Sequence, residues 1–238
     1  MLTPPIHLAA RHGNETLVRS LILAGARVDD RDAQKRTALH IAAEAGNGSA
    51  VSALLQNNAD QDAVDVENDN ALHIAVREGH LNVIRILLTE STIDAEAFNL
   101  KGRNPLHELS KYGKENAAAI CELFLECMAN YPINTSDIMG NSPLLLAYMK
   151  GNANLCRVLV KANACLSTEN CERITIFNYQ SSAIEKDPHV VTIHLNDDPL
   201  NWMCTCPSKA GLRSRCKHIF RVLLYINRDD FDKSPVQT

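Results

Sequence analysis

Five copies of one short pattern constrain this chain more than any other feature. Ile6-His7-Leu8-Ala9-Ala10 recurs as Leu39-His40-Ile41-Ala42-Ala43 and as Leu72-His73-Ile74-Ala75-Val76. Looser copies follow at Pro105-Leu106-His107-Glu108-Leu109 and Ser142-Pro143-Leu144-Leu145-Leu146-Ala147. Counted from the His position, the steps are 33, 33, 34 and 38 residues. A glycine follows each copy in the same steps, at Gly13, Gly46, Gly79, Gly113 and Gly151. After each glycine comes a second apolar helical run, such as Leu17, Val18, Leu21 and Ile22, or Leu81, Val83, Ile84, Leu87 and Leu88.

Each unit therefore reads as two short antiparallel helices. A Pro or polar residue opens the first helix, where a missing N–H costs little. The glycine is expected to end it in a left-handed conformation. Gly25-Ala26, Asn58-Ala59 and Asn163-Ala164 end the second helix and lead into a polar finger. One pair cannot bury its own apolar face, so the copies must stack. The content of 5% aromatic residues fits packed helices better than a β-sandwich, and a net charge of -4 gives no global pull toward nucleic acid or an anionic membrane. The first residues hold no apolar run of signal-peptide type, and no segment has the roughly 18 consecutive apolar residues of a membrane span. Cys121, Cys127, Cys156, Cys165 and Cys171 read as small buried residues of a reducing compartment.

The period and the motif resemble the ankyrin repeat. The resemblance covers residues 3–180 as five repeats and a truncated sixth, which begins at Thr175-Ile176-Phe177-Asn178. The histidines at 7, 40, 73 and 107 are one repeat apart, and their expected role is to hold turns by hydrogen bonds, not to bind metal. The first copy reads like an interior repeat, without the polar outer face of a terminal one. It is expected to expose apolar side chains and to favour self-association.

Two segments carry a closer resemblance. NPLHELSKYGKENAAAICELFLECM, and GNSPLLLAYMKGNANLCRVLVKANACL followed by TIFNYQ, look like the last ankyrin repeats of the rabankyrin family, endosomal proteins with ankyrin repeats and a FYVE finger. That resemblance implies a role in endosomal trafficking alongside Rab GTPases. The chain has no R-x-H-H-C-R-like patch and too few cysteines for the two zinc sites of a FYVE finger, so direct binding to membrane lipid is not expected.

Composition changes after Gln180. Residues 181–188 read as a linker, 189–226 as a small ββα module and 227–238 as a polar tail. Val191, Ile193 and Leu195 alternate as in a strand, Leu200, Trp202, Cys204 and Cys206 share a face of a second, and Ile219 to Leu224 form an apolar helix face. A module this small commonly needs a staple. Cys204, Cys206, Cys216 and His218 offer three thiolates and an imidazole, a donor set suited to one tetrahedral zinc ion per chain. The run CTCPSKAGLRSRCKHI resembles the SWIM-type zinc finger, C-x-C then C-x-H, and implies those four ligands and a role in binding DNA or protein. Lys209, Arg213, Arg215, Lys217 and Arg221 surround them with no acid between 207 and 221. They compensate the thiolate charge or contact nucleic acid or an acidic protein.

The fold expected is mostly α: an ankyrin solenoid followed by a SWIM-type finger. No triad, phosphate loop or acid–base pair points to an enzyme. The functional expectation is a cytoplasmic adaptor, endosome-associated through its partners. It would bind proteins through finger residues Asp30, Arg31, Asp32, Lys35 and Arg36, then Asp65, Glu67, Asn68 and Asp69, then Lys101 and Arg103. These positions mix both signs, as a protein-facing surface does. The alternative is a nuclear nucleic-acid-binding protein that works through the zinc finger.

Overall fold

A computed structural model describes residues 3–128, 130–165 and 170–171. The described residues contain ten helices and no strand. They are α1 (Pro5–Arg11), α2 (Glu15–Leu23), α3 (Ala38–Ala45), α4 (Gly48–Gln56), α5 (Ala71–Glu78), α6 (Leu81–Glu90), α7 (Pro105–Tyr112), α8 (Ala117–Cys127), α9 (Pro143–Lys150) and α10 (Ala153–Lys161). Odd-numbered helices pack on one another in one layer and even-numbered helices in a second, so each pair touches mainly the pairs before and after it. The core is a continuous seam of small and branched side chains, from Ile6 and Val18 through Leu39, Leu54, Leu72 and Leu87 to Leu144 and Leu159.

The helix ends follow local chemistry. Thr37, Asn70 and Asn104 cap α3, α5 and α7, each exchanging bonds with the histidine three residues later. This is a capping box in which the imidazole takes the place of Glu or Gln. Gly46 ends α3 at φ 75°, and a Cβ there would lie 2.6 Å from the His80 ring. Gly13, Gly79 and Gly151 are likewise left-handed, as are Asn58 and Asn163 at the ends of second helices. Gly113 departs from the expectation. Its φ is -54°, because α8 begins only at Ala117 and the longer Gly113–Asn116 connection needs no left-handed reversal. Glycine is still required there, since a Cβ would come 2.3 Å from the Leu109 carbonyl oxygen.

The 38-residue step is filled by a side chain. Tyr131 is buried, donates its hydroxyl to the Ala95 carbonyl at 2.8 Å and meets the edge of Phe124 at 5.3 Å between ring centroids. Burial pushes its phenol well above the usual range. Cys121 and Cys156 are buried as expected, and burial pushes each thiol up to about 12. Cys127, Cys165 and Cys171 are instead exposed. Cys127 closes α8, while Cys165 and Cys171 lie beyond α10, outside the apolar seam. The linker at 181–188, the ββα module at 189–226 and the tail at 227–238 lie outside the described residues, as do residues 172–180, where the sixth copy was expected to start.

Candidate functional site

Between each second helix and the next first helix the chain makes a finger, and one carboxylate or amide shapes each fingertip. Asp32 Oδ1 accepts from the amides of Gln34 and Arg36, both at 2.9 Å. Asp65 does the same for Glu67 and Asp69, Asn99 for Lys101 and Arg103, and Asp137 for Met139 and Asn141. The turn needs one left-handed residue, supplied by Lys35, Asn68, Gly102 and Gly140 in turn. Burial alone would raise the Asp32 and Asp137 carboxyls, but hydrogen bonds from the turn amides and from Arg36, Arg103 and Asn141 hold both below the usual range.

Successive fingers are zipped by single backbone bonds. Val66 N donates to Gln34 O at 3.0 Å, Leu100 N to Glu67 O at 2.9 Å and Ile138 N to Lys101 O at 3.1 Å. Cys171 N continues the ladder to Met139 O at 2.9 Å, so the start of a further finger is in register. The histidines add a second tie. Nε2 of His7, His40, His73 and His107 reaches the carbonyl of Arg36, Asp69, Arg103 and Thr135 at 2.9, 3.2, 3.0 and 3.0 Å. Each ring holds the finger that follows it, which is the turn-holding role expected of these residues. Nδ1 of His40, His73 and His107 accepts from the capping residue's amide. His7 Nδ1 has no partner, because Pro4 occupies the cap and has no N–H.

Behind the second, third and fourth fingers runs a chain of buried charge. Arg77 pairs with Asp69 and, at 3.0 Å, with Glu108. Asn99 Nδ2 donates to Asp69 at 2.8 Å and to Glu108 at 3.1 Å. Arg103 Nε meets Asp137 at 3.0 Å, and its Nη1 stands 3.6 Å from Glu108 with no hydrogen bond. Burial would lower the Arg77 guanidinium, yet Asp69 and Glu108 raise it above its ordinary value.

This geometry narrows the surface read from the sequence. Asp69 and Arg103 are buried in the ionic chain, and Asp32 and Asp65 are occupied in fingertip turns. Arg36 is held by Asp32 and Glu44. Asn68 donates to the Phe98 carbonyl and Asp30 pairs with Arg27. Exposed side chains remain at Arg31, Lys35, Glu67 and Lys101. Lys101 and Glu67 pair across fingers at 2.7 Å. Cys204, Cys206, Cys216 and His218, with Lys209, Arg213, Arg215, Lys217 and Arg221, lie outside the described residues.

The sequence reading missed Arg77, Asn99, Glu108, Asp137 and Asn141. The usable signal was Glu108, a carboxylate at the register that Leu8, Ile41 and Ile74 fill with apolar side chains. A charge at a core register needs a buried partner.

Residues 6–99 match the family model for ankyrin repeats, in three copies. The helix pairs over these residues are ankyrin repeats. The fourth and fifth repeats, beyond the matched stretch, keep the same helix pairing and finger ladder. The chain is 48% identical to human Rabankyrin-5 over 227 residues and 48% identical to mouse Rabankyrin-5 over 229 residues, in each case 93% of this chain. It spans about a fifth (19%) of the length of these curated relatives. The ankyrin array is thus Rabankyrin-like. Among the described residues, no helix is long and apolar enough to cross a membrane.

Proposed function

We propose that the chain is a non-enzymatic adaptor, cytoplasmic and brought to endosomes through its partners, with the ankyrin repeats as the protein-binding part. The finger ladder carries this reading. Each fingertip backbone is fixed by its own Asp or Asn and tied to the next finger, which leaves Arg31, Lys35, Glu67 and Lys101 exposed on a preorganised frame. Prefixed loops lose little entropy on binding. The identity with Rabankyrin-5 across the array supports the endosomal setting. Proximity labelling in cells tests it with the intact chain and a charge-reversed variant (Arg31→Glu, Lys35→Glu, Glu67→Lys, Lys101→Glu). The expected result is a set of endosomal proteins near the intact chain that is depleted for the variant. A set dominated by nucleic-acid-bound proteins and unchanged in the variant rejects the reading in favour of a nucleic-acid-binding role.

A SWIM-type zinc finger at 189–226 belongs to the same proposal. Its support is the donor set of Cys204, Cys206, Cys216 and His218, which would supply a tetrahedral site, its excess thiolate charge offset by the flanking Lys and Arg residues, and folding energy for a small module. Elemental analysis of the reduced, folded chain should find one zinc per chain. A content below about half an equivalent sinks this part.

A further inference from the structure

The register four residues after the motif histidine lies along the finger side of the first helices. In the second repeat it holds Glu44, paired with Arg36 at 3.1 Å. In the third it holds Arg77, engaged by Asp69 and Glu108. These charges are balanced within the protein. In the fourth and fifth repeats the same register holds Lys111 and Met149. Among the described residues Lys111 has no ion pair; its ammonium sits 5.4 Å from the Tyr112 ring centroid. Lys150 has none either, whereas Lys114 pairs with Glu78 at 3.1 Å.

Lys111 and Lys150 both line two open depressions, so the two form one surface across the ends of α7 and α9. One, of about 350 Å³, is walled by Arg103, Met139, Leu146 and Met149. The other, of about 690 Å³, includes Ser110, Lys114 and Asn152, with Glu115 as its carboxylate. Arg103 is 5% exposed and committed to Asp137 and Glu108, and Ser110 is 2% exposed, so the charge facing the depressions is that of the two lysines. Two ammonium groups without an ion pair among the described residues favour a carboxylate-bearing ligand. Met139 and Met149, both substantially exposed, offer an adaptable apolar wall beside those charges.

We propose that this groove binds an acidic protein segment, with an apolar side chain against Met139 and Met149 and flanking carboxylates on Lys111 and Lys150. The inference rests on the adaptor reading and assigns its partner a chemistry. Nucleic acid fits less well, since two unpaired ammonium groups beside a methionine wall do not make the run of phosphate contacts that duplex or single-stranded binding uses.

The test is fluorescence polarisation at physiological salt with the full chain and a blocked, labelled peptide of Asp and Glu around a central Leu-Phe. Saturable binding is expected. It should weaken by about tenfold or more when the acids become Asn and Gln, when Leu-Phe becomes Ala-Ala, and in the Lys111→Glu/Lys150→Glu variant with unchanged circular dichroism. Met149→Gln should weaken the Leu-Phe peptide and leave the Ala-Ala peptide unaffected. Arg11→Glu, at the same register of the first repeat, should bind the peptide normally. No binding, equal loss with Arg11→Glu, or tighter binding of a single-stranded oligonucleotide overturns the proposal. If the peptide fails while Lys111→Glu/Lys150→Glu retains its endosomal neighbours in cells, the groove assignment falls and the adaptor reading stands.

Discussion

The first repeat and the third-to-fourth joint share one backbone plan and differ in what lies against it. Leu8 is 47% exposed, while Ile41 at the same register is 1% exposed. Leu17 is 44% exposed, and its equivalents Ala50, Val83, Ala117 and Leu155 are all at 0%. Among the described residues each later repeat is packed against the one before it, and the outer face of the first repeat is not. At the same register the fourth repeat buries Glu108, because the third supplies Arg77 across the joint. Burial in this array is a property of the interface between neighbours, as nearest-neighbour stacking requires. An interface accepts apolar or ionic filling if the neighbour completes it.

The comparison breaks most sharply if the ionic joint is dispensable. Arg103→Met leaves Asp137 and Glu108 buried beside fewer cations, and removing one partner of a buried pair costs about 3–5 kcal/mol. Arg11→Met, at an exposed position of the first repeat, should change stability by less than about 0.5 kcal/mol. Urea unfolding of both variants measures the contrast, and equal shifts would abolish it.

Acid should separate the regions next. Burial lowers the His40 and His73 imidazoles and takes His107 from 6.5 to about 4. The ring donates through Nε2 to the Thr135 carbonyl, and a second proton is opposed by its burial. With a folded pKa below the unfolded one, the contribution of His107 is intact above about pH 6.5 and is lost as pH falls toward 4, a change of roughly 3 kcal/mol. His40 and His73 act in the same direction. His107→Leu installs the residue type found at Leu145 in the fifth repeat. It should flatten the fall between pH 6.5 and 4 relative to the unmutated chain, read from stability at each pH. An unchanged slope would remove His107 as its source.

The smallest expected effect on stability lies on the outer face of the first repeat. Leu8→Gln with Leu17→Gln should cost less than about 0.5 kcal/mol, since both sites already face solvent. Light scattering should show less self-association than in the unmutated chain. A monomeric unmutated chain at high concentration would mean that the exposed face is not adhesive.

The array was legible because its signals are local. The period, the His motif and the left-handed Gly46 and Asn58 need only a few neighbouring residues to act. Gly113 misled, since its helix end depends on where α8 starts. The fingers were harder to read. Asp32 and Asp65 look like solvent charges in sequence, and only the turn shows them spent on backbone amides. The ionic chain joins residues one repeat apart, and Arg103 gave no sign of facing Asp137 34 residues on. His7 is the instructive exception: its motif is intact in sequence, yet one proline beside it removes the bond that completes the pattern.

The finger ladder also has a mechanical meaning. Successive fingers share one backbone bond, a motif histidine ties each of the first four repeats to the finger after it, and His80 adds a bond to the Glu44 carbonyl between the second and third repeats. Tension applied along the chain would therefore be carried by joints in series, each able to give way by itself. A repeat peeled from the stack frees 33 residues between motif histidines, about 11 nm of slack at full extension. The joint between the third and fourth repeats, with Arg77 bonded to carboxylates on both sides, acts as a stiff link in an otherwise compliant spring.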